Sequence, residues 1–86
     1  MSAFGKALCR LLSGSADANI DFDDLCRVLT HLGFASRIKG SHHIFHRDGI
    51  PEIINLQPRG SLAKPYQVKQ VRDILTRHHL VPEDEE

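Results

Sequence analysis

The apolar residues of this chain change period twice, and that change decides what it can fold into. Up to Leu32 they recur at three- and four-residue steps, between Phe34 and Gln57 they come in short runs broken by Gly-Ser and Asp-Gly, and from Val68 the helical step returns. Steps of three and four residues place side chains on one helical face, whereas short runs bounded by turn residues read as strands. Phe4, Ala7, Leu8, Leu11 and Leu12 give a first helix that Ser13-Gly14-Ser15 ends, with Ala16-Asp17-Ala18-Asn19 as connector. A second helix starts near Asp21, whose carboxylate is suited to accept a first-turn amide bond. Asp23 and Asp24 follow where the helix dipole favours acids. Phe22, Leu25, Leu29 and Leu32, with Val28 beside them, form its apolar face, and Gly33 terminates it.

The sequence then predicts strands over Phe34 to Lys39, His42 to Arg47 and Glu52 to Gln57, joined by turns at Gly40-Ser41 and Asp48-Gly49 and closed by Pro58-Arg59-Gly60-Ser61. Pro65 suits the first turn of a last helix, where its missing amide proton has no partner anyway. Val68, Val71, Ile74 and Leu75 make that helix's inner face, leaving Lys69, Arg72 and Arg77 outside. The expected fold class is α+β: a three-stranded antiparallel sheet packed on helices (α-β-β-β-α), with an extra N-terminal helix.

Size and charge narrow the reading further. The 86 residues amount to one domain, and a chain this short buries only ~60–65% of its unfolded surface. Hydrophobic residues at 41% and charged residues at 26% argue against a disordered chain. The formal net charge is zero, but it is unevenly distributed. Residues 1–36 carry −1, residues 37–77 carry eight cations against three acids (+5), and Glu83, Asp84, Glu85 and Glu86 add −4. An internal basic segment points to an anionic partner, although a solvated surface with an acidic solubilising tail accounts for the same asymmetry.

Other classes close quickly. No stretch approaches the ~18 apolar residues of a membrane span, and Met1 to Lys6 lacks the pattern of a signal peptide. Cys9 and Cys26 sit in separate helical segments without metal or redox spacing, and are expected to be buried, reduced and structural, as in the cytoplasm.

Alternation along the second strand locates the chemistry. Phe45 is its core residue, so His43 and Arg47 share the Phe45 face while His42, Ile44 and His46 share the other. If helices cover Phe45, His42 stands on the open face just after a tight turn, with Arg37 and Lys39 arriving from the neighbouring strand. An imidazole exchanges a proton near neutral pH, and cations beside it bind a phosphodiester and stabilise charge that builds during transfer. A polar histidine at a strand start is the plain alternative. A metal site fits poorly: His42 and His46 are about 13 Å apart along a strand, too far for one ion with ~2.0–2.1 Å bonds, and His78-His79 lacks a partner motif. No cofactor is implied.

Lys39-Gly40-Ser41-His42-His43-Ile44-Phe45, preceded by a helix ending Leu-Gly-Phe and followed by a Val-Arg-Asp-Ile-Leu helix, resembles the HicA toxins of bacterial toxin–antitoxin pairs from about Phe22 to Leu80. The resemblance implies a double-stranded-RNA-binding-domain-like fold over a core of residues 20–81, between an N-terminal helix and connector (1–18) and an acidic tail (82–86). It implies a metal-independent ribonuclease acting on mRNA and inhibited by a HicB-like antitoxin. The family histidine falls on His42, and His43 is the fallback because some relatives place it one position later. Arg37, Lys39, Gly40, Ser41, Arg59, Lys64 and Lys69 are then the expected RNA contacts. Where many members carry Val-Pro-x-His, this chain has Ile54-Asn55-Leu56-Gln57-Pro58. The first twenty residues are an addition to the minimal fold, able in principle to cover the sheet, mediate a homodimer or bind a partner. Two other classes stay open: a non-catalytic RNA-binding module, favoured by the +5 segment and by a single Tyr with no Trp for base stacking, and a protein-interaction module.

Overall fold

A computed structural model describes residues 3–80; the acidic tail expected at 82–86 lies outside the described residues. The chain runs α1 (Ala3–Ser13), a single 3₁₀ turn (Asp17–Asn19), α2 (Phe22–His31), β1 (Ala35–Lys39), β2 (His42–Arg47), β3 (Ile50–Leu56), β4 (Pro58–Arg59), β5 (Leu62–Ala63) and α3 (Pro65–Arg77). Strands β1, β2 and β3 form an antiparallel three-stranded sheet in chain order. The fold is therefore the expected α+β sandwich of the double-stranded-RNA-binding type.

Helix α2 ends as its sequence requires. Gly33 adopts φ +95°, and the amides of Gly33 and Phe34 bond the carbonyls of Thr30 and Leu29 at 3.1 Å each. This is the two-bond left-handed cap that favours glycine, with Phe34 and Leu29 both buried beside it. The start of α2 differs from expectation. Asp21 occupies the cap position, but its carboxylate makes no capping bond. Its backbone pairs instead with Leu62, and the Phe22 amide bonds the Ser61 carbonyl at 2.9 Å. A tertiary backbone contact has taken the place of the local side-chain cap.

The segment Pro58 to Ser61, expected as a closing turn, is part of a hairpin: Pro58 and Arg59 pair with Ala63 and Leu62. Two-residue strands carry no readable period. This hairpin is held by its neighbour, the Ala63 amide bonding the Ile20 carbonyl at 2.8 Å. Strand β3 begins earlier than Glu52 because its register against β2 slips: Phe45 faces Ile54 but Arg47 faces Ile50. The irregularity accommodates Pro51, which has no amide proton to offer the ladder.

The core lies between the sheet and the helices. Phe45, Ile54 and Leu56 from β2 and β3 are buried together with Phe22, Leu25, Val28 and Leu29 of α2 and Val68, Val71, Ile74 and Leu75 of α3. Helix α1 adds Leu8 and Leu11, with Phe4, Ala7 and Leu12 partly buried against the same cluster. It packs on α2 and α3. The added helix thus thickens the helical layer.

Two expectations about side chains are corrected. Arg72 does not lie outside: its guanidinium bonds both carboxylate oxygens of Asp17 at 2.8 and 3.1 Å and the Leu11 carbonyl at 3.1 Å. The connector after α1 covers that stripe of α3. Cys9 is exposed and only Cys26 is half-buried, because Cys9 falls on the outer side of the Leu8–Leu11 stripe. Burial, with Asp23 nearby, pushes the Cys26 thiol up to about 11, so it stays protonated and unreactive near neutral pH.

Candidate functional site

The register of the sheet assembles one open face. Lys39 pairs with His42, Arg37 with Ile44, and Ile44 with Asn55, and paired residues point to the same side. Phe45, Ile54 and Leu56 occupy the opposite face, under the helices. The open face therefore carries Arg37 and Lys39 from β1, His42, Ile44 and His46 from β2, and Ile53 and Asn55 from β3. Strand β1 is exposed along its whole length, and its two cations blunt the sheet edge against further strand pairing. Lys39, Gly40, His42, Ile44 and Asn55 line a shallow open groove of about 460 Å³.

His42 is held within this face. Its Nδ1 lies 3.0 Å from Oδ1 of Asn55 on β3. The turn before it uses Gly40 at φ +63°, a left-handed geometry that glycine adopts without strain. The hydroxyl of Ser41 accepts a bond from Gln57 Nε2 at 3.0 Å, and Lys64 Nζ donates to Gln57 Oε1 at 3.4 Å. Behind them, Gln67 of α3 is buried. Its Oε1 accepts the Gln57 amide proton at 3.1 Å and its Nε2 donates to the Asn55 carbonyl at 3.3 Å. Every polar atom of this buried side chain is satisfied, as burial demands.

The other histidines have different surroundings. His43 turns toward the helices and meets the Phe22 ring edge-on, centroids 4.8 Å apart. His31 stacks on Phe4 at 4.2 Å, and His78 Nε2 lies 2.8 Å from Glu52 Oε1. Among the described residues no three His, Cys, Asp or Glu side chains converge as a metal-binding group would.

Of the residues expected to contact RNA, Arg37, Lys39, Gly40 and Ser41 gather around His42, and Lys64 reaches the same turn through Gln57. Arg59 is exposed on the β4–β5 hairpin, while Lys69 lines a separate groove along α3 with Glu52, Tyr66 and Arg77. Sequence reasoning passed over Asn55, Gln57 and Gln67. One signal was present: Gln67 falls on the apolar stripe of α3, one turn before Val71, where a polar residue must have buried partners.

These features define a small α+β protein that presents a histidine among cations on the open face of an antiparallel sheet. The sequence model of the HicA toxin of bacterial toxin–antitoxin pairs matches residues 22–78. That is two-thirds of the chain and spans α2 through the end of α3, and the protein belongs to the HicA toxin family. It is accordingly the toxin of a toxin–antitoxin system. No curated protein and no solved structure matches the chain. No described helix is long and apolar enough to cross a membrane.

Proposed function

We propose that this toxin is a metal-independent endoribonuclease that cleaves mRNA in the cytoplasm, with His42 as its proton-transferring group. The observation that carries the reading is the position of His42: exposed on the open face, paired across the strand with Lys39 and one step from Arg37. The imidazole takes the proton of a ribose 2′-hydroxyl, and the 2′-oxygen attacks the adjacent phosphorus. The bond from phosphorus to the 5′-oxygen breaks, and that oxygen recovers a proton from the imidazolium. A 2′,3′-cyclic phosphate and a free 5′-hydroxyl remain. Lys39 and Arg37 neutralise the phosphate as its negative charge rises, while the Gly40-Ser41 turn and Lys64 border the strand's path.

Residues 20–81 are the working core in this reading, and the 1–18 segment supports its helical layer. A HicB-like antitoxin would silence the toxin by covering the sheet face. Incubating the purified protein with RNA in EDTA tests the assignment. Cleavage leaving cyclic-phosphate ends is expected. RNA retained intact in a complex that dissolves with salt would instead make the protein a non-catalytic RNA binder on the same surface.

A further inference from the structure

The His42–Asn55 contact carries a consequence for the chemistry, resting on the reading of His42 as the proton-transferring group. We infer that Asn55 is a positioning residue that fixes the His42 ring in the tautomer with its proton on Nδ1. An amide oxygen only accepts hydrogen bonds, so with Asn55 Oδ1 at 3.0 Å the ring nitrogen donates. Neutral imidazole has one N–H, so the lone pair then sits on Nε2. A general base needs that lone pair on the nitrogen that meets the substrate. Asn55 and His42 line the same open groove, so the ring is braced at Nδ1 and its other nitrogen is left for the 2′-hydroxyl.

Asn55 is itself braced from the other side of the sheet. Its carbonyl takes the Nε2 proton of Gln67, and the same glutamine holds the amide of Gln57. Gln67 is only 7% exposed and is the one buried polar side chain among the described residues, so the end of β3 and the residue just past it, Asn55 and Gln57, are pinned to α3 where they contact His42 and Ser41. The Ile54-Asn55-Leu56-Gln57 run thus supplies two of the groups that hold the site. An amide at this position orients the ring without adding charge. A carboxylate there would favour the protonated ring and raise its pKa.

The test uses the whole chain. Ring-nitrogen NMR of His42 and the pH profile of RNA cleavage are recorded for wild type, Asn55→Ala and Asn55→Asp, with His42→Ala alongside. In wild type the proton resides on Nδ1. Asn55→Ala moves the ring toward the Nε2–H form and lowers kcat, with little change in KM, by up to the ~10²–10⁴ that a positioned acid–base group contributes. Asn55→Asp keeps the Nδ1–H form, recovers most of the rate, and moves the acid limb of the profile to higher pH, because the base must be unprotonated to act. A wild-type ring protonated on Nε2, or an Asn55→Ala protein with unchanged tautomer and rate, overturns the inference. Should Asn55→Ala fail to fold, the isosteric Asn55→Asp decides alone: an unshifted acid limb contradicts it. A His42→Ala protein as active as wild type removes the ribonuclease reading and this inference together. An inactive His42→Ala beside a fully active Asn55→Ala removes only the inference.

Discussion

Arg72 grips Asp17 at two points, Nη1 to Oδ1 at 2.8 Å and Nη2 to Oδ2 at 3.1 Å, and the same Nη1 bonds the Leu11 carbonyl at 3.1 Å. One guanidinium on α3 therefore fastens both the end of α1 and the connector behind it. The added N-terminal segment is an integral part of the helical layer, joined to the family core across 55 positions of sequence.

Replacing Arg72 with Ala removes three charge-assisted bonds and leaves the Leu11 carbonyl and Asp17 without their partner. Bonds to charged groups contribute ~1.5–3 kcal/mol each when buried, and this pair is about one-fifth exposed, so a loss of about 2 kcal/mol is expected. Urea titration checks it: the midpoint falls while the slope, which tracks the surface exposed on unfolding, stays constant.

Acid weakens the fold through two carboxylates. The Arg72 hydrogen bonds hold Asp17 below the usual carboxyl range, and a bond to its own backbone amide, helped by His78 and Arg77, does the same for Glu52. Both groups protonate at lower pH folded than unfolded, where values near ~3.9 and ~4.3 apply. The unfolded chain thus binds more protons in this range, so the contribution is complete above about pH 5 and is lost as pH falls through the folded values. Urea midpoints measured from pH 7 to pH 2.5 should fall in this window, and less steeply in Asp17→Asn.

His79 holds φ +55° at the end of α3, its amide bonding Thr76 while the Leu80 amide bonds Leu75. This is the glycine-favouring helix cap with a residue that has a Cβ. His79→Gly relieves a strain of ~1–2 kcal/mol but adds freedom to the unfolded chain, about 0.4–1 kcal/mol. A net gain between zero and about 1.5 kcal/mol is expected, read as a rise of up to several degrees in Tm.

In the proposed reading Arg37 and Lys39 meet phosphate rather than bases. Substituting either with Ala should weaken RNA binding evenly across sequences and flatten the dependence of log K on log salt by about 0.7 for each lost contact with a single strand. Binding measured on two unrelated RNAs at several salt concentrations between about 50 and 200 mM checks this. A selective loss on one RNA would instead indicate base readout.

What the sequence revealed follows the range of the forces involved. The bounds of β2, the Gly33 cap of α2 and the inner face of α3 were legible because each is set by residues a few positions apart. The face on which His42 stands was legible for the same reason, since alternation about Phe45 fixes it. The unused Asp21 cap, the exposure of Cys9, the Arg72 ion pair and the β4–β5 hairpin were not, because each depends on how distant segments come together. Asn55 belongs to that second group: its polarity was visible, but its place beside His42 depends on the register of β2 against β3. Lys69 and Arg59 lie in the same basic segment but outside the groove around His42, a separation that only the fold shows.

Expression of wild type and His42→Ala in bacteria, with growth and intact mRNA followed together, addresses the central claim most directly. Acid–base groups contribute ~10²–10⁴ in rate, so wild type should arrest growth and deplete mRNA while His42→Ala, accumulated to the same level and folded, does neither. Equal arrest and equal mRNA loss from the two proteins would contradict the assignment of His42.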